Sequence, residues 1–193
     1  SIIVNKIVNR ISKKIICVSE RVVKHLIANE KVNKDKLICI NYGYNFEYYL
    51  AGLSANTAKK IRSKYNSENL IVCVGRFVPS KRHNLLINLI GILNKKSQSK
   101  YMLICLGDGP LKKDLEILIK NLELQECVKL IGFKSNVIDY MIASDILVHF
   151  SESESFGHVV LEAGLSKKTV IVCEEVGVFK DFIKNDFNGF LVS

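Results

Sequence analysis

The chain has 193 residues, 48% of them apolar, and a formal charge of +9 at pH 7. That length supplies one large or two small domains with ample core, and no apolar run approaches the roughly 20 residues of a membrane span. The basic balance suits a polyphosphate ligand or an anionic membrane surface. Nucleic acid is disfavoured, because no basic run is interleaved with stacking aromatics and no nucleic-acid motif occurs.

The opening SIIVNKIVNRISKK mixes apolar and basic residues as an amphipathic helix does, not as a secretory signal does. The cytosol is therefore the expected compartment, and the initial Ser reads as a trimmed start. Apolar runs then alternate with helical patterns. Strands are expected at 14–18, 37–41, 70–75, 101–106, 127–131, 145–149, 169–173 and 189–192. Helices are expected near 2–12, 20–30, 55–65, 81–95, 110–122, 135–142, 157–166 and 178–184. This alternation predicts an α/β fold, a Rossmann-like parallel sheet flanked by helices. Cys17, Cys39, Cys73, Cys105 and Cys173 each lie inside a β-like run, with no CxxC pair and no His at metal-ligand spacing. Buried, reduced thiols are expected, and no metal site. Lys and Arg fall on nearly every helical segment, as on solvated helix faces.

A break follows Tyr42-Gly43-Tyr44-Asn45, where the chain turns polar and strandless. Residues 1–43 read as the end of one α/β unit, 44–68 as a linker and 69–193 as a second, nearly complete unit. Two strands are too few for a sheet that stands alone, so the chain reads as a fragment.

In a doubly wound sheet, ligands sit at the C-terminal ends of the strands. The polar residues fall there: Gly75-Arg76 with Lys81 five residues on, Gly107-Asp108-Gly109-Pro110, Gly132-Phe133-Lys134, Ser151 to Gly157, and Glu174 to Gly177. Gly107 to Pro110 reads first as a strand-to-helix turn with Pro110 at the first helical position. Asp145 reads as a strand start or local cap. Phe133 suits either the core or a stacked base, and His158 offers its amide more than its ring. Arg76 and Lys81 suit phosphate recognition.

The richest stretch is Ser151 to Ala163, where Glu154 and Glu162 bracket a polar turn entering an apolar helix. On one helix, eight residues would separate the two carboxylates by about 12 Å and about 80°. They share a small ligand only if Glu154 is in the loop and Glu162 in the helix. Ser153 and Ser155 are N-cap candidates, Gly157 permits close backbone approach, and free amides of residues 157–160 would attract an anion. An anionic group held by amides, with a carboxylate on each side for hydroxyls, suits a sugar joined to a nucleotide diphosphate.

This ordered set resembles the retaining, two-domain GT-B glycosyltransferases of family 4. The resemblance runs from Val18-Ser19-Glu20 and Asn41-Tyr42-Gly43 through Gly75-Arg76 with Lys81, Gly107 to Pro110, Gly132-Phe133 and Ala143-Ser144-Asp145. It continues into Ser151, the Glu154–Glu162 pair with Phe156-Gly157 between, and Asn188-Gly189. It implies a donor-binding domain at 69–193 beside a remnant of the acceptor domain. Arg76 and Lys81 would neutralise the departing diphosphate, and Glu154 would hold sugar hydroxyls. Gly75 would line the site, the amides of Gly157, His158 and Val159 after Phe156 would cradle phosphate, Glu162 would bind ribose, and Gly132-Phe133 would border the base. It implies a metal-independent transfer, without cofactor, to a glycan or lipid-linked acceptor on the inner face of a membrane, with UDP-sugars favoured over GDP-sugars.

The chain departs from the family pattern at Phe150, Lys167-Lys168-Thr169, Arg82, Gly177-Val178 and Asp181. The fragment is expected to bind donor and to transfer sugar poorly alone. A non-catalytic nucleotide-sugar subunit of a split transferase is the alternative. An epimerase fits the paired Glu spacing less well, and a dinucleotide oxidoreductase lacks the third glycine of G-x-G-x-x-G.

Overall fold

The computed structural model describes residues 2–51 and 54–193; Ser1 and the Gly52-Leu53 pair of the expected linker lie outside the described residues. The chain opens with α1 (Ile2–Ile11), β1 (Ile15–Cys17), α2 (Glu20–Glu30) and β2 (Leu37–Cys39), and β1 pairs with β2 in a parallel two-stranded sheet. Ser19 caps α2, its hydroxyl accepting from the Val22 amide. Two helices follow, α3 (Phe46–Ala51) and α4 (Ala55–Tyr65), before the larger sheet begins.

That sheet holds β3 (Asn69–Val74), β4 (Tyr101–Leu106), β5 (Val128–Leu130), β6 (Ile146–His149), β7 (Thr169–Cys173) and β8 (Phe190–Val192), all parallel, in the order β5-β4-β3-β6-β7-β8. Between the strands run α5 (His83–Lys96), α6 (Lys112–Asn121), α7 (Val137–Ala143) and α8 (His158–Leu165). The strands read as nearly continuous apolar runs because both faces are covered. Leu70 and Val72 point into one core with α4, α7 and α8; Ile71 and Cys73 point into the other with α5 and α6. This is the doubly wound order in which the connections reverse direction at the central pair. Here that pair is β3 and β6, and the crevice it opens lies at Gly75 and Phe150.

Three local expectations change. Val178 and Phe179 are both buried, and i to i+3 bonds (Phe179 N–H to Val176 O, 2.9 Å; Phe182 N–H to Phe179 O, 3.2 Å) tighten the expected last helix into a 3-10 turn, Gly177–Asp181. Pro110 lies in a turn ahead of α6, whose N-cap is Leu111, so it is not the first helical residue. Cys39 and Cys127 are only half-buried, whereas Cys17, Cys73, Cys105 and Cys173 are buried. Asp145 acts as a structural staple: its Oδ2 accepts from the Leu70 amide and the Arg62 guanidinium, both at 2.7 Å. Among the described residues no helix is long and apolar enough to cross a membrane.

Candidate active site at the β3–β6 crevice

The loop after β3 is held by glycines in its neighbour. Gly107, at φ +144°, lies so close that a Cβ there would sit 1.9 Å from the Gly75 carbonyl oxygen. A Cβ on Gly109 would meet the Phe77 backbone at 2.6 Å. In their absence the two loops hydrogen-bond: Gly75 N–H to Leu106 O (2.9 Å), Phe77 N–H to Asp108 O (3.0 Å) and Leu111 N–H to Phe77 O (3.0 Å). Gly107 to Pro110 is thus a brace for the Gly75-Arg76 segment. Phe77, fully buried, anchors it from below. A 3-10 turn, Pro79–Lys81, and a left-handed Arg82 then lead into α5, so Lys81 stands just before that helix.

Across the crevice, the loop after β6 is tied to the first. The Glu152 amide donates to Ser80 O at 2.8 Å, and Arg82 pairs with Glu152 at 2.9 Å. Its far side is held by the N-terminal segment, with Ser19 Oγ donating to Ser155 O at 2.8 Å. Glu154 lies in this loop and Glu162 in the second turn of α8, the arrangement that sharing one small ligand requires.

Glu154 carries the strongest electrostatics. Its Oε1 receives both the Lys81 ammonium and His149 Nε2, the latter at 2.6 Å. Burial alone would raise its pKa; hydrogen bonds and charge from His149 and Lys81 overcome this and hold it at about 2. Burial pushes the His149 imidazole down, but Cys73 and Glu154 outweigh it, so its pKa is raised. The Lys81 stem passes over Gly75, its Cδ 3.7 Å from where a Cβ would stand.

Glu162 is the opposite case. Its carboxylate is half-buried and has no hydrogen bond or ion pair among the described residues, and burial raises its pKa. Its charge in turn helps burial raise the hydroxyl pKa of Tyr44, which hydrogen-bonds with His158 Nδ1. Arg76 is exposed, and its guanidinium likewise has no partner among the described residues.

The helix start differs from expectation. Gly157, at φ +88° and packed on Phe179, is the N-cap of α8, with no side-chain bond, so neither Ser153 nor Ser155 caps it. A left-handed cap bound by an aromatic ring favours glycine over serine. The Val160 amide bonds to Gly157 O, so the expected row of free amides shortens to Gly157, His158 and Val159. Phe156 and the His158 ring pack against Tyr42, at 5.2 Å and 4.4 Å between centroids. Gly132 and Phe133 stand at the end of β5, two strands from β3, tied in by the Gly107 amide to Gly132 O at 3.0 Å. Phe133 is 79% exposed, which removes it from the core.

Sequence reasoning missed His149, Tyr42 and Tyr44 as site neighbours. The signal for His149 was a lone imidazole closing an otherwise apolar strand, Ile146-Leu147-Val148-His149. Among the described residues no group of three or more His, Cys, Asp or Glu is placed to hold a metal ion. A wide groove of ≈ 1360 Å³ opens at the other end of the strands, along Glu68, Lys100, Tyr101 and Lys129, and shares none of these residues. The crevice remains the candidate because ligands of such sheets bind at the carboxyl ends.

The opposed shifts predict a stability maximum. Glu154, lowered from 4.5 to about 2, contributes stability above pH 4.5 that is lost as pH falls through about 2. His149 and Glu162, both raised, contribute stability that is lost as pH rises through their folded values. Urea midpoints are expected to peak near pH 4.5, falling on the acid side as Glu154 is protonated and on the alkaline side first through Glu162 and then through His149, with Glu154→Gln flattening the acid limb. An unchanged acid limb in that variant would refute the ion-paired Glu154.

Residues 54–193 match the family of glycosyl transferases group 1. The chain is 27% identical over 175 residues to the phosphatidylinositol N-acetylglucosaminyltransferase GPI3 subunit of Saccharomyces cerevisiae, covering 90% of this chain and 38% of that protein. Its fold matches HepE of Anabaena, solved with UDP and glucose, at a TM-score of 0.85 and 24% identity, over 99% of this chain and 52% of that one. A glycosyltransferase from Rickettsia africae matches at a TM-score of 0.78 and 30% identity, over 97% and 52% of the two chains. The chain thus spans about half, or less, of the proteins it resembles. With the family match covering most of its length and the matching fold, the chain belongs to the glycosyl transferases group 1.

Proposed function

We propose that this chain is mainly the donor-binding part of a retaining family 4 glycosyltransferase, which moves a sugar from a nucleotide-diphosphate sugar to a glycan or lipid-linked acceptor. The observation that carries the reading is the crevice between β3 and β6. There Lys81, Glu154 and His149 meet, and α8 begins at the end of the same loop, carrying a half-buried Glu162 that has no hydrogen bond or ion pair among the described residues. In this reading residues 1–43 are the end of the acceptor unit, 44–68 the linker and 69–193 the donor unit.

The roles follow from the chemistry. Arg76, exposed and without a side-chain partner among the described residues, and Lys81 neutralise the diphosphate as negative charge develops on it during departure. The amides of Gly157, His158 and Val159 add donors at the start of α8. Glu154, held ionised, accepts from sugar hydroxyls. Glu162 accepts from the ribose hydroxyls, which would satisfy a half-buried carboxylate that has no hydrogen bond or ion pair among the described residues. Gly75 leaves room for the Lys81 stem, Gly132 and Phe133 border the base, and Phe156 supports the loop. Two cations and helix amides supply the counter-charge, so the transfer is expected to proceed without a metal. UDP is favoured over GDP as the donor base, a preference in line with HepE having been solved with UDP.

Calorimetric titration with UDP, GDP and ADP, and with their sugar conjugates, tests this. One diphosphate should bind selectively, and Glu162→Gln should weaken it about tenfold, or ~1.4 kcal/mol. The same substitution should raise the melting temperature, since it removes a half-buried charge that has no hydrogen bond or ion pair among the described residues. A folded chain that binds none of the three overturns the reading.

The charge distribution points to a membrane surface. Residues 1–65 hold 13 Lys and Arg against 4 Asp and Glu, whereas residues 66–193 are balanced at 15 each, so the whole formal +9 sits in the first third. Lys13, Lys14, Lys24, Lys31, Lys34, Lys59 and Lys60 are all exposed there. Near an anionic leaflet each is worth about 1 kcal/mol. In this reading the protein works peripherally on the inner, cytosolic face of a membrane, beside a lipid-linked acceptor. It should co-sediment with phosphatidylglycerol vesicles and not with phosphatidylcholine, and salt at about 0.5 M should release it. Equal binding to both lipids would refute an electrostatic attachment.

A further inference from the structure

His149 is a firmly placed group at the crevice with no role so far. It is the last residue of β6, in register with Val172 of β7, and is 2% exposed. Its ring meets Phe179 edge-on at 6.0 Å, and its Cε1 lies 3.9 Å from where a Cβ on Gly75 would be. Its Nε2 and the Lys81 ammonium converge on one oxygen, Glu154 Oε1, while Oε2 has no partner among the described residues. The two donors differ in freedom. Lys81 ends a flexible four-carbon stem from a short turn, whereas the imidazole is fixed by a strand bonded on both sides.

A diphosphate entering beside Lys81 competes with Glu154 for the same ammonium. If Lys81 were the only partner, its departure would leave a mostly buried carboxylate without a counter-group, which is costly enough to reprotonate or swing it away. We propose that His149 is a positioning residue that holds Glu154 Oε1 through Nε2–H while Lys81 transfers to the diphosphate, leaving Oε2 set for a sugar hydroxyl. This rests on the donor-binding reading. It adds that the sugar-dependent part of the affinity passes through His149, while the nucleotide-dependent part does not.

The test is calorimetry of the chain with UDP, UDP-glucose and UDP-N-acetylglucosamine, comparing wild type, His149→Phe and His149→Gln. Phe keeps the ring and removes the donor; the Gln side-chain amide restores a donor near Nε2. His149→Phe should bind UDP within about threefold of wild type but lose the gain that the preferred sugar adds, and His149→Gln should recover most of it. A merely structural role would move all three ligands together and would not be rescued by Gln. A sugar-dependent gain unchanged in His149→Phe, absent from wild type, or not restored in a folded His149→Gln overturns the proposal alone. Wild type that binds no UDP overturns the donor reading and the proposal with it. Should His149→Phe not fold, long-range 1H–15N correlation on wild type decides instead: hydrogen should stay on Nε2 before and after the preferred UDP-sugar binds, and its loss on binding overturns the proposal.

Discussion

Gly107→Ala is expected to destabilise the chain by about 3 kcal/mol or more and to abolish measurable nucleotide binding. Two independent effects add. At φ +144° an L-residue is strained whatever the space around it, and the new Cβ would sit 1.9 Å from the Gly75 carbonyl oxygen and 2.9 Å from its carbon. These are backbone atoms of the Gly75-Arg76 segment, so the clash is relieved only by moving that loop. The hydrogen bonds that fix the loop, Gly75 to Leu106 and Phe77 to Asp108, go with it. At about 2–4 °C per kcal/mol for a chain of this size, the melting temperature should fall by roughly 10 °C. Gly164→Ala is the control: it lies in α8 with open space where its Cβ would go, and should stabilise by about 0.5–1 kcal/mol. Comparable losses in both variants would mean that Gly107 is an ordinary turn residue and not the brace of the Gly75-Arg76 loop.

That brace illustrates what sequence could and could not supply. The central strands were legible because they are short runs of β-branched and aliphatic residues buried on both faces, such as Leu70 to Cys73 and Leu103 to Leu106. Gly107 and Gly109 were visible as turn residues, but their purpose depends on a neighbouring strand's loop, which no local pattern encodes. The last helix failed for a related reason. Its apolar residues Val178, Phe179, Phe182 and Ile183 keep helical spacing, yet the segment closes through i to i+3 bonds into a 3-10 turn, which that pattern does not signal.

The site divides in the same way. Glu154 and Glu162 could be assigned to loop and helix from their spacing, because Phe156-Gly157 breaks any continuous helix between them. Their opposite electrostatics could not. One carboxylate is held at about 2 by His149 and Lys81, and the other is raised by burial. These differences arise from groups 5 and 73 residues away and from the way α8 packs. The even spread of Lys and Arg over helical segments also concealed a division, since excess charge emerges only when the segments before and after residue 65 are taken separately.

Lys81→Met should separate binding from folding at the crevice. Met keeps most of the stem that packs over Gly75 and removes the ammonium. Glu154 retains His149 Nε2 at 2.6 Å, so its charge is still compensated and the chain should remain folded, with its acid limb of stability moved to higher pH. The diphosphate has no such reserve. Loss of one charge-assisted contact to phosphate should weaken UDP by about 1.5–3 kcal/mol, a factor of roughly 10 to 100. Arg76→Met should weaken UDP in the same direction with no stability change, because its guanidinium pairs with nothing among the described residues. The pair of variants, read by calorimetry and thermal melting, thus distinguishes a cation shared between fold and ligand from one reserved for ligand. Unaltered UDP affinity in Lys81→Met would reduce the Lys81–Glu154 contact to a structural ion pair and move the phosphate site away from this crevice.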